Sequence, residues 1–100
     1  MEPEQSYSFE SELWIYSAGK ASWHFITVLV EISHRIRFFA GRTNGFGSIQ
    51  VNARIDGSRF ATSLFPDKTS GCYFLPVKAE VRKAESITAG DRVQVEIKTG

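Results

Sequence analysis

The residues best suited to do chemistry are three bases in the last third of the chain. Lys78, Arg82 and Lys83 follow Pro76 in a segment with helical spacing. On a helix, Lys78 and Arg82 lie one turn apart, and such like charges repel each other by about 0.2 to 0.5 kcal/mol. A helix start also favours anions, so we predict a surface for a small anionic ligand or an acidic protein partner. The alternative is an ordinary exposed basic face in which Glu80 pairs with Lys83.

The loop just upstream could extend this surface. Asp67 can accept hydrogen bonds from turn amides, Lys68 can hold an anion, and two hydroxyl side chains follow. The predicted ligand-binding residues are therefore Asp67, Lys68, Thr69, Ser70, Lys78, Arg82 and Lys83. The alternative for the loop is an Asx-type turn that joins two strands.

Other residue types that support catalysis or metal binding lack the spacing that this chemistry needs. His24 and His34 form no His-x-x-x-His pair, and the single cysteine, Cys72, has no partner for a zinc site. Cys72 lies in an apolar stretch, where a free thiol usually behaves as a small buried apolar group. No serine stands in a Gly-x-Ser-x-Gly motif. We predict no catalytic residue, no metal and no cofactor.

Composition and length limit the remaining function classes. The chain has 100 residues, of which 42% are hydrophobic, with a formal net charge of +1. We expect one domain over residues 1–100, with 1–6 flexible, because a chain of this size supports one core. The longest apolar stretch, residues 25–30, is far shorter than the roughly 20 residues of a membrane span. The N-terminus lacks the pattern of a secretory signal, so we expect a cytoplasmic protein with no membrane partner.

Alternation of apolar and polar side chains predicts six strands. We expect them at residues 7–18, 23–28, 49–55, 59–64, 72–75 and 93–97. The first strand is expected to be exposed early and buried late, because its sequence becomes apolar toward Tyr16. Asp56-Gly57 predicts a two-residue hairpin turn with positive φ at both residues.

Two segments have helical spacing, each with an apolar face at positions i, i+4 and i+7. These faces are Ile32, Ile36 and Phe39 in the first helix and Val77, Val81 and Ala84 in the second. Gly41 is suited to end the first helix, and Pro76 is suited to the first turn of the second.

The element order is ββαβ-ββαβ. Six short strands in so small a chain favour closure, which removes exposed sheet edges. We therefore predict a mainly β fold, a small closed six-stranded β-barrel with two short helices. The interior of such a barrel is filled by side chains, so a binding site is expected at a mouth or on an outer face.

Several segments together resemble one bacterial family. They are Trp23–Phe25, Gly45–Ile49, Thr62–Lys68, Gly71–Lys78, Val81–Glu85 and Gly90–Asp91. From about Phe9 to its end the chain is similar to the domain of unknown function family nineteen-oh-five. The resemblance implies a small closed β-barrel. It also implies relatives in which the domain stands alone or precedes a segment resembling the YdeI/OmpD-associated group. It implies no reaction.

Three function classes follow. The first is a noncatalytic ligand-binding or interaction module that uses the basic residues named above. The second is a nucleic-acid-binding barrel, since the last helix, the Gly-Asp turn and the last strand resemble the swapped-hairpin transcription factors. A pI near 7.9 lies below the strongly basic range typical of such domains. The third is an enzyme of unknown reaction, which would need a convergence of side chains that spacing alone does not reveal.

Overall fold

The computed structural model describes residues 5–40 and 47–99, which form a closed antiparallel β-barrel with two helices. The strands are β1 (Gln5–Ala18), β2 (Ala21–Thr27), β3 (Ile49–Ile55), β4 (Ser58–Pro66), β5 (Tyr73–Pro76) and β6 (Arg92–Thr99). The helices are α1 (Val30–Ala40) and α2 (Ala79–Glu85). This confirms the predicted mainly β fold, the six-stranded barrel and the ββαβ-ββαβ order. In the described part of the chain, neither helix is long and apolar enough to cross a membrane.

Strand β1 closes the barrel because it pairs with two neighbours in succession. Residues 5–12 pair with β6, and residues 13–18 pair with β2. The order around the barrel is β1-β2-β5-β4-β3-β6. Every neighbouring pair is antiparallel.

The inward positions of the six strands carry the core. Their side chains alternate with outward ones, since successive residues of a strand point to opposite faces. Fully buried members of the core are Leu13, Ile26, Ile55, Leu64, Leu75, Val95 and Ile97. The outward positions face solvent. On β3 and β6 they carry polar and charged side chains, whereas on β2 and β5 they carry aromatic rings.

The expected burial of β1 is wrong in direction. Tyr7 and Phe9 are buried early in the strand, whereas Ile15 and Tyr16 are about half exposed later in it. Residues 15–18 of β1 pair with β2 alone, and β2 reaches its other neighbour, β5, only from Phe25 onward. The end of this hairpin is therefore a two-stranded ribbon with no further sheet to cover it.

The buried face of α1 also differs from the prediction. Ile36 is buried, but Phe39 is 49% exposed and Ser33 is fully buried. Ser33 Oγ donates to the Val28 carbonyl at 3.2 Å and accepts from the Tyr73 amide at 3.0 Å. These two bonds turn Ser33 toward the barrel, and the more apolar Phe39 away from it. Gly41, the predicted helix stop, lies outside the described residues.

Pro76 is the last residue of β5 and not part of the first turn of α2. The Val77 amide donates to the His24 carbonyl at 2.9 Å, so the chain stays extended and bound to β2 beyond Pro76. Within α2, Val81 is buried as predicted, but Ala84 is exposed. Ile87, just past the helix, is buried where the predicted face would have continued.

The β3–β4 hairpin forms at the predicted Asp56-Gly57 turn, with a different backbone. Asp56 has a φ of 50°, but Gly57 is not among the residues with positive φ. The Gly57 amide instead donates to Glu85 Oε1 of α2 at 3.3 Å. The observed turn thus has positive φ at Asp56 alone of its two central residues, and its Gly57 amide is bound to α2.

We predict that Ser33→Ala lowers the free energy of unfolding by about 1 to 3 kcal/mol. The change leaves the buried Tyr73 amide and Val28 carbonyl without their side-chain partner, and an unsatisfied buried polar group carries a penalty of that size. Urea denaturation measures it, with Ser22→Ala on the exposed ribbon as the matched control. Equal midpoints for the two variants would contradict the anchoring role of Ser33.

Candidate anion-binding surfaces

The predicted loop residues interact mainly with one another. The Asp67 carboxylate accepts from the Ser70 hydroxyl at 2.7 Å and from the Ser70 amide at 3.2 Å. The hydroxyl, helped by turn amides, lowers the pKa of Asp67 below its ordinary value. This is the bonding that the turn interpretation predicts. Lys68 and Thr69 are exposed between them.

Helix α1 holds this loop in place. Arg37 donates to the Gly71 carbonyl at 3.0 Å, and its guanidinium lies 5.1 Å from the centre of the Tyr73 ring. Gly71 has a φ of +79°, in the left-handed region that favours glycine. The loop is therefore fixed to α1 at its C-terminal end.

The bases of α2 stand at the start and along one side of that helix. Lys78 is the N-cap residue, and it and Lys83 are exposed. Arg82 is half-buried, and its Nε donates to the Val77 carbonyl at 3.3 Å. The predicted pair between Glu80 and Lys83 is not among the ion pairs found in residues 5–40 and 47–99.

Strand β5 separates the two predicted groups. The loop 67–72 precedes β5 and α2 follows it, so the groups lie at opposite ends of a strand of four residues, about 10 Å long. The structure brings Asp67 and Ser70 together, and separately places Lys78, Arg82 and Lys83 on α2. The predicted residues thus make two surfaces, and anion binding by either one stays a prediction.

His24 adds a titratable group beside α2. It points inward from β2, and among the described residues its buried Nδ1 has no hydrogen-bond partner. Burial, and then the positive charge of Arg82, lower the pKa of His24 below its ordinary value of 6.5. The neutral imidazole is therefore favoured at this end of the barrel.

A second basic feature lies on the outer face of β6, β3 and β4. Two adjoining depressions of about 410 and 400 Å³ share Asn52, Ala61 and Lys98 in their lining. Together we call them the β3 groove. Its charged and polar lining residues at outward strand positions are Gln50, Asn52, Arg54, Arg59, Ser63, Glu96 and Lys98.

Two arginines face each other in the β3 groove. Arg54 and Arg59 occupy directly opposed positions of the β3–β4 hairpin, where Cβ atoms are about 4.5 to 5.5 Å apart. Arg54 pairs with Glu96 at 3.5 Å, whereas Arg59 pairs with no carboxylate in the described part of the chain. With Lys98 included, the groove lining holds three cations and one acid. This arrangement suits an anion with several negative oxygens, since guanidinium groups bind carboxylate and phosphate through paired hydrogen bonds.

Sequence reasoning missed the β3 groove, although a signal for it was present. Asp56-Gly57 predicted a two-residue turn, and such a turn fixes the register of the strands on either side. Counting outward from that turn sets Arg54 opposite Arg59 without any structure.

Comparison with known proteins gives a family and no activity. A family model described as Domain of unknown function (DUF1905) matches residues 9–97. This confirms the resemblance found in the sequence. No curated protein matches the chain.

We predict that Arg82→Gln raises the pKa of His24 but leaves it below 6.5. The substitution removes the smaller cause of the shift, the positive charge, and keeps the larger one, burial. An NMR titration of the His24 ring measures the pKa, with Lys83→Gln on the exposed side of α2 as the control. An unchanged pKa in Arg82→Gln would show that the two groups do not interact.

The sign of the linked stability change follows from the lowered pKa. A histidine with a lower pKa in the folded chain than in the unfolded chain stabilises the fold fully above about pH 6.5. That contribution is lost as the pH falls from 6.5 to the folded-state pKa. The loss should be smaller in Arg82→Gln than in the unmodified protein.

Proposed function

This chain belongs to the DUF1905 family, and we propose that it is a noncatalytic binding module for an anionic ligand or an acidic partner. The observation that supports this most strongly is the pair of opposed arginines, Arg54 and Arg59, in the concave β3 groove. The family description names no activity, so the support for this function comes from the charge and shape of the β3 groove.

The opposed arginines have a cost in the unliganded protein. Like charges directly opposite each other on a sheet destabilise it, within a range of about 0.2 to 1 kcal/mol for cross-strand pairs. Glu96 offsets the charge of Arg54, but Arg59 lacks such a partner among the described residues. An anion bound in the groove would offset the repulsion between the two arginines. Anion binding therefore accounts for two like charges at opposed positions.

The groove lining can also orient such a ligand. Asn52 and Gln50 carry amide donors, and Ser63 carries a hydroxyl, all at outward positions of β3 and β4. Lys98 adds a flexible ammonium next to Asn52. A ligand with two or more phosphate or carboxylate groups matches this combination of charge and donors.

The β3 groove is a better candidate than the α2 surface. Arg82 already donates to the Val77 carbonyl, and Lys78 is the N-cap of a helix of seven residues. In the groove, Arg59 is exposed and its guanidinium has no competing carboxylate among the described residues. We therefore place the proposed function in the groove and keep the α2 bases as the comparison surface.

We predict that Arg59→Gln weakens the binding of inorganic tripolyphosphate at least tenfold. A hydrogen bond to a charged group contributes about 1.5 to 3 kcal/mol, and 1.4 kcal/mol corresponds to a factor of ten. Titration calorimetry at low salt measures the affinity. The melting temperature of the unliganded variant should stay the same or rise, because the substitution relieves the repulsion from Arg54.

Two further variants make the test specific. Arg35→Gln removes an exposed arginine from α1, outside the groove, and should leave binding unchanged. If Lys78→Glu with Arg82→Glu abolishes tripolyphosphate binding and Arg59→Gln does not, the binding site is α2 and the groove assignment is wrong. If the unmodified protein gives no heat of binding at any salt concentration, the anion-binding proposal itself fails.

A further inference from the structure

Six aromatic side chains stand at outward positions of four neighbouring strands, and we call them the aromatic face. They are Trp14 and Tyr16 of β1, Trp23 and Phe25 of β2, Phe65 of β4 and Phe74 of β5. Tyr16, Trp23 and Phe65 are 53%, 48% and 46% exposed. The core is built from inward positions, so half-exposed rings on the outer surface are not explained by packing of the interior.

Ring contacts join five of these six side chains into two groups. Trp14 lies 5.1 Å from Phe25 and 5.0 Å from Phe74, and Phe25 lies 6.0 Å from Phe74, measured between ring centres. Tyr16 and Trp23 form a second pair at 5.9 Å with an angle of 31° between the rings. The Trp14 indole N–H donates to the Thr27 hydroxyl at 2.9 Å, which fixes that ring in the array. The face therefore offers several oriented flat rings to solvent.

Strand β4 connects the aromatic face to the β3 groove. Its outward positions are, in order, Arg59, Ala61, Ser63 and Phe65. The first three line the groove, and Phe65 belongs to the aromatic face. Ser63 and Phe65 are two residues apart, about 7 Å along the strand. Arg59 and Phe65 are six residues apart, about 20 Å along the strand, so only an extended ligand can reach from the arginines to the rings.

A ligand that uses both surfaces needs repeated negative charges and flat apolar groups along one extended chain. Single-stranded nucleic acid has this chemistry, with phosphates along the backbone and unpaired bases that stack on aromatic side chains. In a duplex the bases are stacked on one another and are not free to bind the rings. An acidic peptide would use the arginines but would give the rings no regular planar partner.

We propose that the anionic ligand of this protein is a single-stranded nucleic acid. Its phosphates lie in the β3 groove, on Arg54, Arg59 and Lys98, and its bases stack on the aromatic face. The inference rests on the proposed function, because it takes the groove as the site of the negative charge. The local arrangement, rather than the net charge of +1, supports it.

The experiment compares oligonucleotides that differ only in their bases. Fluorescence anisotropy with a labelled 12-nucleotide pyrimidine strand measures affinity, and an abasic strand of equal length supplies the same phosphates without bases. We expect the strand with bases to bind at least tenfold more tightly than the abasic strand and than a duplex of equal length. Affinity should fall as salt rises, since phosphate contacts release counterions.

Two double variants test whether the aromatic face contributes to the affinity for the single strand. Tyr16→Ala with Trp23→Ala removes two exposed, touching rings and should weaken strand binding at least tenfold while leaving tripolyphosphate binding unchanged. Phe38→Ala with Phe39→Ala is the matched control, because these α1 rings are also exposed and lie 5.1 Å apart. The control should bind the strand like the unmodified protein.

The failures of the two proposals are distinguishable. Equal affinity for abasic and complete strands, or no effect of the Tyr16 and Trp23 substitutions, would overturn the nucleic-acid inference and leave a binder of polyanions. Tripolyphosphate binding with no oligonucleotide binding would also overturn it and would turn attention to a protein partner. If the unmodified protein does not bind tripolyphosphate, the proposed anion-binding function itself is wrong.

Discussion

Closure of the barrel by β1 fixes which strand positions face the core and which face solvent. This strand pairs first with β6 and then with β2, and so it joins the two ends of the sheet. In a closed barrel of six strands the inward positions are committed to the core. Binding chemistry on the strands then has to be carried by outward residues, which the core leaves free to vary. Both the arginine pair of the β3–β4 hairpin and the exposed rings of the β1–β2 ribbon occupy such positions.

The outward residues divide the barrel into a polar side and an aromatic side. Strands β3 and β6 carry amides and charged groups outward, whereas β2 and β5 carry rings. Strand β4 belongs to both, since Arg59 stands near its start and Phe65 near its end. A chain whose net charge is +1 can therefore present a locally cationic groove beside an apolar surface. The local field, and not the total charge, decides what such a groove attracts.

Alternation of side chains and turn residues predicted the strands and most of the helical segments, because these signals depend only on residues that are neighbours in sequence. The number and shortness of the strands then predicted the barrel. What failed depended on contacts between distant residues. Ser33 is buried through bonds to Val28 and Tyr73, and a hydrophobic pattern favours Phe39 in its place. The predicted binding residues were grouped because they are close in sequence, yet β5 separates the loop from α2. Arg54 and Arg59 are brought together by strand register, which proximity in sequence does not reveal.

Mapping of amide shifts in a ¹⁵N-labelled sample would show whether the outer face of β3 and β4 binds the anion. On addition of tripolyphosphate, we expect the largest shifts at Asn52, Arg54, Arg59 and Ala61. On addition of a single strand, the perturbation should extend to the indole N–H of Trp23. Shifts confined to α2 or to the β4–β5 loop would show that the anion does not bind in the β3 groove.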